Sequence, residues 1–73
     1  MKPKSEKFKD LAQKRMNKAI NHIRLIGNLA NKNNYQYSES DSKKIIRRLT
    51  DEINTVKIKF KDGVKSKSEN FKL

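Results

Sequence analysis

The 73-residue chain has no cysteine, no tryptophan, one proline and two glycines. Without cysteine there is no disulfide framework, no thiolate metal site and no cysteine nucleophile. Two isolated glycines exclude a glycine-rich phosphate loop. Little else punctuates the backbone, because Pro3 stands near the start and interrupts nothing, so long helices follow. Long apolar runs are missing as well. Leu25-Ile26 and Ile45-Ile46 set the limit, against the roughly 18 apolar residues that a spanning helix needs. No stretch has the pattern of a signal peptide, and the expectation is a soluble, cytoplasmic chain without a membrane partner. Carboxylates are scarce: 8 Asp and Glu stand against 19 Lys and Arg, for a net charge of +11.

The residues available for catalysis are equally few. His22 is the single histidine, with no second histidine, cysteine or carboxylate cluster beside it to make a metal site and no nucleophile in a recognisable arrangement. Asp51 and Glu52 are neighbours in sequence, and on a helix neighbours point in different directions, so ion pairing along the helix explains them better than acid and base work. A core this small cannot both hold itself together and shape a dry pocket. The sequence therefore predicts no enzyme, no metal and no cofactor.

What is present is helical periodicity. From Ser5, a candidate N-cap, the residues Phe8, Ala12, Met16, Ala19, Ile23, Ile26 and Ala30 recur at steps of four and three, with Leu11 beside them. Lys7, Lys14, Lys18, Asn21 and Asn28 occupy the other face. This predicts a first amphipathic helix over about residues 6–31. Residues 32–38 read as a loop, since Asn31, Asn33 and Asn34 tolerate left-handed backbone and suit a helix end. Ser38 followed by Asp41 is a variant capping box, with Glu39 and Asp41 placing negative charge at a helix N-terminus. Ile46, Leu49, Ile53, Val56 and Phe60 then step by three and four, which predicts a second helix over about residues 39–61, closed by Asp62-Gly63. Residues 62–73, with only Phe71 and Leu73 as apolar anchors near the end, read as a basic flexible tail after a helical domain of residues 1–61.

The fold class expected from this order is all-α, an antiparallel hairpin of two long helices. One hairpin cannot cover Ile20, Leu25, Leu29, Ile45 and Ile58 in addition to the two main stripes, so completion of a helical bundle by self-association, as a dimer, is expected. Gly27 falls inside the first apolar period at a cost of about 1 kcal/mol relative to Ala. It reads either as a left-handed cap or as a point where another backbone comes close, and the continued period at Leu29 and Ala30 favours close approach.

The basic residues are the most informative set. Segment by segment the net charge is +7 over residues 1–34, +3 over 35–61 and +1 over 62–73. Of the 19 basic residues 15 are Lys, and an AT-rich coding sequence favours Lys, Asn and Ile regardless of function, so placement matters more than number. On the second helix Lys43, Arg47, Lys57 and Lys61 share one line, with Thr50 and Asn54 between them and Lys44 and Arg48 parallel to it. Such a line can follow phosphates. The same residues can also form a solvated face, with Arg47 and Arg48 pairing to Asp51 and Glu52 at i, i+4 spacing, or meet an acidic protein surface. On the first helix Lys14, Arg15, Lys18 and Arg24, with Asn21, combine charge with an amide able to bond base edges. Asn occurs eight times in the chain, so that neighbour carries little weight. Tyr35 and Tyr37 can stack unpaired bases, or Tyr37 can pack over the first turn of the second helix as the residue before its cap.

The stretch from Arg15 to Tyr37, with Ile23-Arg24-Leu25-Ile26-Gly27-Asn28-Leu29 and Asn34-Tyr35-Gln36-Tyr37 within it, resembles a group of small uncharacterised bacterial proteins. They share this core followed by a helix with an acidic start. The resemblance supports the helix boundaries and implies no mechanism. A helix-turn-helix is not resembled, because a short recognition helix after a tight turn is missing. The function expected is nucleic-acid binding, to RNA or DNA, through Lys and Arg contacts to phosphate with low sequence specificity. The alternative is a protein-interaction module, a regulator or inhibitor that docks on an acidic or nucleic-acid-binding surface of a larger protein.

Overall fold

The structure, a computed structural model, describes the backbone of residues 2–68 and the side chains of residues 2–63. It contains two helices, α1 (Lys4–Asn28) and α2 (Glu39–Ser68), and no strand among the described residues, so the fold class is all-α. The chain divides into two units, Met1–Gln36 and Tyr37–Leu73, each carrying one helix.

In the first unit α1 begins two residues before the expected 6. Pro3 is the N-cap, with φ −58° and ψ 154°, and its carbonyl accepts the Lys7 N–H at 3.0 Å. Proline loses nothing at a helix start, where the N–H has no intrahelical acceptor, and its fixed φ suits the turn that follows. Ser5 is consequently inside the helix and not its cap. Glu6 lies in the first turn, where a carboxylate complements the exposed N–H groups. Lys2 and Asp10 form an exposed ion pair along the outside of the same turns.

The C-terminal end of α1 also corrects an expectation. The helix stops at Asn28, and Leu29 at the C-cap keeps right-handed backbone, φ −70° and ψ −10°. Leu29 N–H donates to the Ile26 carbonyl and Ala30 N–H to the Gly27 carbonyl, both at 3.1 Å, which tightens the last turn into three-residue steps. Asn31 then organises the connection. Its side-chain Oδ1 accepts the Asn33 N–H at 3.0 Å, and its carbonyl accepts from Asn34 and Tyr35. The asparagines thus act through local hydrogen bonds, and no described residue has a positive φ. Gly27 is not a left-handed cap, since its φ is not positive, and within its own unit nothing lies within 4 Å of where its Cβ would stand.

The second unit starts as the spacing predicts. Ser38 Oγ accepts the Asp41 N–H at 3.0 Å, and Asp41 Oδ2 accepts the Ser38 N–H at 2.9 Å, closing a reciprocal capping box ahead of Glu39. The helix then runs through Asp62-Gly63 to Ser68 and does not stop at 61. Gly63 is a weak stop when nothing holds it left-handed, because a helical glycine costs only about 1 kcal/mol. Residues 62–68, expected in the tail, are therefore helical, whereas Phe71 and Leu73 lie outside the described residues.

None of the described residues is buried. Ala12, Ile20 and Ile26 on α1 and Leu49 on α2 are half-buried, while Phe8, Met16, Ile46 and Ile53 expose more than half of their surface, 56–61%.

Candidate nucleic-acid interface

Because α2 is continuous from Glu39, its side chains turn by about 100° per residue, and this places the basic residues. Lys43, Arg47, Thr50, Asn54, Lys57 and Lys61 fall within an arc of about 80° and extend roughly 27 Å along the axis. The stripe of Ile46, Leu49, Ile53, Val56 and Phe60 is centred about 100° away, so the cations border the apolar face without interrupting it. Lys44 and Arg48 stand about 100° and about 140° from the centre of the line on its other side.

Ion pairs divide these cations into two groups. Arg48 Nη2 lies 2.9 Å from Glu52 Oε1, the i, i+4 pair the spacing suggests. Lys43 Nζ lies 3.3 Å from Glu39 Oε1. By contrast, Arg47 makes no pair with Asp51, and neither Lys57 nor Lys61 has a carboxylate within ion-pair distance among the described residues. The Asp51 carbonyl accepts the Thr55 hydroxyl at 3.1 Å instead. Arg47, Lys57 and Lys61, with the neutral donors Thr50 and Asn54 between them, therefore form the open part of the line. A shallow, open depression over the first turns of α2 is lined by Glu39, Ser40, Lys43, Lys44 and Arg47. Its cations Lys43, Lys44 and Arg47 and its open shape suit an extended polyanion passing by, not an enclosed substrate, with the Glu39 carboxylate as the opposing charge on the rim.

On α1 the geometry separates what the sequence groups together. Arg15 and Arg24 are nine residues apart, about two and a half turns, and so point to opposite sides of the helix. They cannot meet one ligand surface from a single helix. Lys14, Lys18 and Asn21 do share a face with Lys7, which the spacing places there although the candidate basic set on this helix omits it. The seven-residue step from Lys7 to Lys14 is the signal that identifies it. His22 lies near the edge of the apolar stripe, beside the Arg15 side of the helix.

Tyr35 is 49% exposed in the connection, and Tyr37, directly before the Ser38 cap, is half-buried. Asp41 titrates abnormally. The Ser38 backbone N–H, and then the Ser38 hydroxyl, hold its carboxyl below the usual aspartate value of 3.8, against a weaker opposing effect of desolvation. Among the described residues no three His, Cys, Asp or Glu side chains gather as metal ligands, and no helix is long and apolar enough to cross a membrane. Comparison of the chain with protein-family profiles, curated proteins and solved structures finds no match.

Proposed function

We propose that this chain is a small nucleic-acid-binding protein that contacts phosphates through Lys and Arg on helix faces, with low sequence specificity. The observation that carries the reading is the open line of Arg47, Lys57 and Lys61 on α2, spaced by Thr50 and Asn54 and uncompensated by local carboxylates. Charge of this kind, on an exposed helix and without an enclosing pocket, reads backbone phosphate and not base edges. The face of Lys7, Lys14 and Lys18 on α1 adds a second set of point charges. Exposed Tyr35 offers a ring on which an unpaired base stacks. Titration of a labelled oligonucleotide at several salt concentrations tests the proposal. Three phosphate contacts from the α2 line give a slope of log affinity against log salt of about −2.7 on duplex and about −2.1 on single strands. A slope near zero rejects it.

The exposed, lysine-flanked apolar stripe of α1 favours a second reading, a module that docks on an acidic or nucleic-acid-binding surface of a larger protein. A protein partner retained at moderate salt after nuclease treatment, together with a flat salt response toward nucleic acid, selects that reading over the first.

A further inference from the structure

The main apolar stripe of α2 follows a seven-residue repeat from Ile46 to Phe60, with Ile45 and Ile58 outside it. Ile46, Ile53 and Phe60 occupy its first position, a, while Leu49 and Val56 occupy the fourth, d. In the same register Glu52 is at the flanking position g, Lys57 at e, and Arg47, Asn54 and Lys61 at b, which points away from the seam. The stripe is exposed: Ile46 and Ile53 each show 61% of their surface and Val56 46%.

We infer that α2 pairs with α2 of a second copy of this chain, parallel and in register, through this seam. Two features select that occupant. Isoleucine at a with leucine at d, present at Ile46, Leu49 and Ile53 though not at Val56 or Phe60, favours two parallel strands, and a repeat of 3.5 residues keeps the seam facing its partner as the helices wind. Charge is complementary to itself: in a parallel in-register pair each g position meets the e position five residues on in the other helix, so Glu52 of one copy meets Lys57 of the second, twice by symmetry. The stripe of α1 keeps the same spacing from Ala12 to Ile26, but alanine fills two of its seam positions, Ala12 and Ala19, and offers little side chain to bury. The residues that flank it, Arg15 and His22, offer no carboxylate to a second α1. In the paired arrangement Arg47, Asn54 and Lys61 stay open at b on both copies while Lys57 is engaged by Glu52 of the second copy, so the three-contact salt slope applies to the unpaired chain.

The absence of native cysteine makes the test direct. Nuclease-treated protein at 0.15 M salt, where the Debye length is about 8 Å, isolates self-association from nucleic-acid binding, so the two proposals fail separately. Leu49→Cys and Val56→Cys should each cross-link to the same residue of a second copy under mild oxidation, and Asn54→Cys should not. In sedimentation the wild type should be a dimer. Glu52→Lys should weaken association about fivefold by replacing two exposed flanking attractions with repulsions. Lys57→Glu should do the same, and the double exchange Glu52→Lys with Lys57→Glu should restore it. Restoration cannot come from the pair with Arg48 inside the helix, because the double exchange leaves two cations facing each other there. Equal cross-linking at positions 49 and 54, no rescue by the double exchange, or a wild-type chain that stays monomeric at about 100 µM would overturn the inference.

Discussion

Arg47 and Arg48 are consecutive, identical in chemistry and equally attractive as phosphate ligands, yet the structure gives them different expected phenotypes. Arg47 lies on the open line of α2, whereas the Arg48 guanidinium is 2.9 Å from Glu52 and faces about 100° away. Replacing Arg47 by Gln removes one of three phosphate contacts, so the salt slope on duplex should fall from about −2.7 to about −1.8. Between 50 and 200 mM salt the wild type should lose about 40-fold in affinity and the variant only about 12-fold. Arg48→Gln lowers the net charge by the same single unit but should leave the slope unchanged. Its cost is the exposed pair with Glu52, about 0.3–0.5 kcal/mol of helix stability, since Gln itself is a good helix former. Fluorescence anisotropy of a labelled 20-mer, read with circular dichroism at 222 nm on the same samples, separates the two effects. Equal loss of slope in both variants would mean that binding responds to total charge and that the line on α2 has no special place. No loss in either would remove α2 from the interface.

Further outcomes follow from the caps, the glycine and the seam. Gly27→Ala should stabilise α1 by about 1 kcal/mol, measurable as increased helicity and a higher midpoint, because φ there is not positive and the added methyl meets nothing within 4 Å. Ser38→Ala should weaken the first turn of α2 by about 1 kcal/mol through loss of the cap. The lowered Asp41 pKa sets a pH signature: its contribution is complete above the unfolded value near 3.8 and is lost as pH falls through the lower folded value. The 222 nm signal of the wild type should therefore decline below about pH 4, and Asp41→Asn should flatten that part of the curve. Ile53→Asp places a charge on a side chain that is 61% exposed within the chain, so it should leave dilute protein as helical as before and abolish concentration-dependent association. A matching helix loss in dilute samples would show that Ile53 is enclosed within a single chain.

Much of this protein is legible in the sequence because its structure is made of interactions three and four residues long. The Ser38 and Asp41 capping box, the start of α2 at Glu39, the Arg48 and Glu52 pair and both apolar stripes depend only on neighbours within one or two turns, and each follows from residue spacing. The ends of the helices are less legible, because there the competing conformations differ by little. Asn31 satisfies the chain after α1 through its side chain and carbonyl without any left-handed residue, and Gly63 is carried inside α2 at modest cost. The sequence likewise counts cations but does not aim them. The continuous α1 sets Arg15 and Arg24 on opposite sides, and the structure leaves Arg47 without Asp51 while Arg48 pairs with Glu52, although the spacing offers both pairs alike. Direction and pairing belong to three-dimensional geometry, and both basic helix faces acquire their content from it.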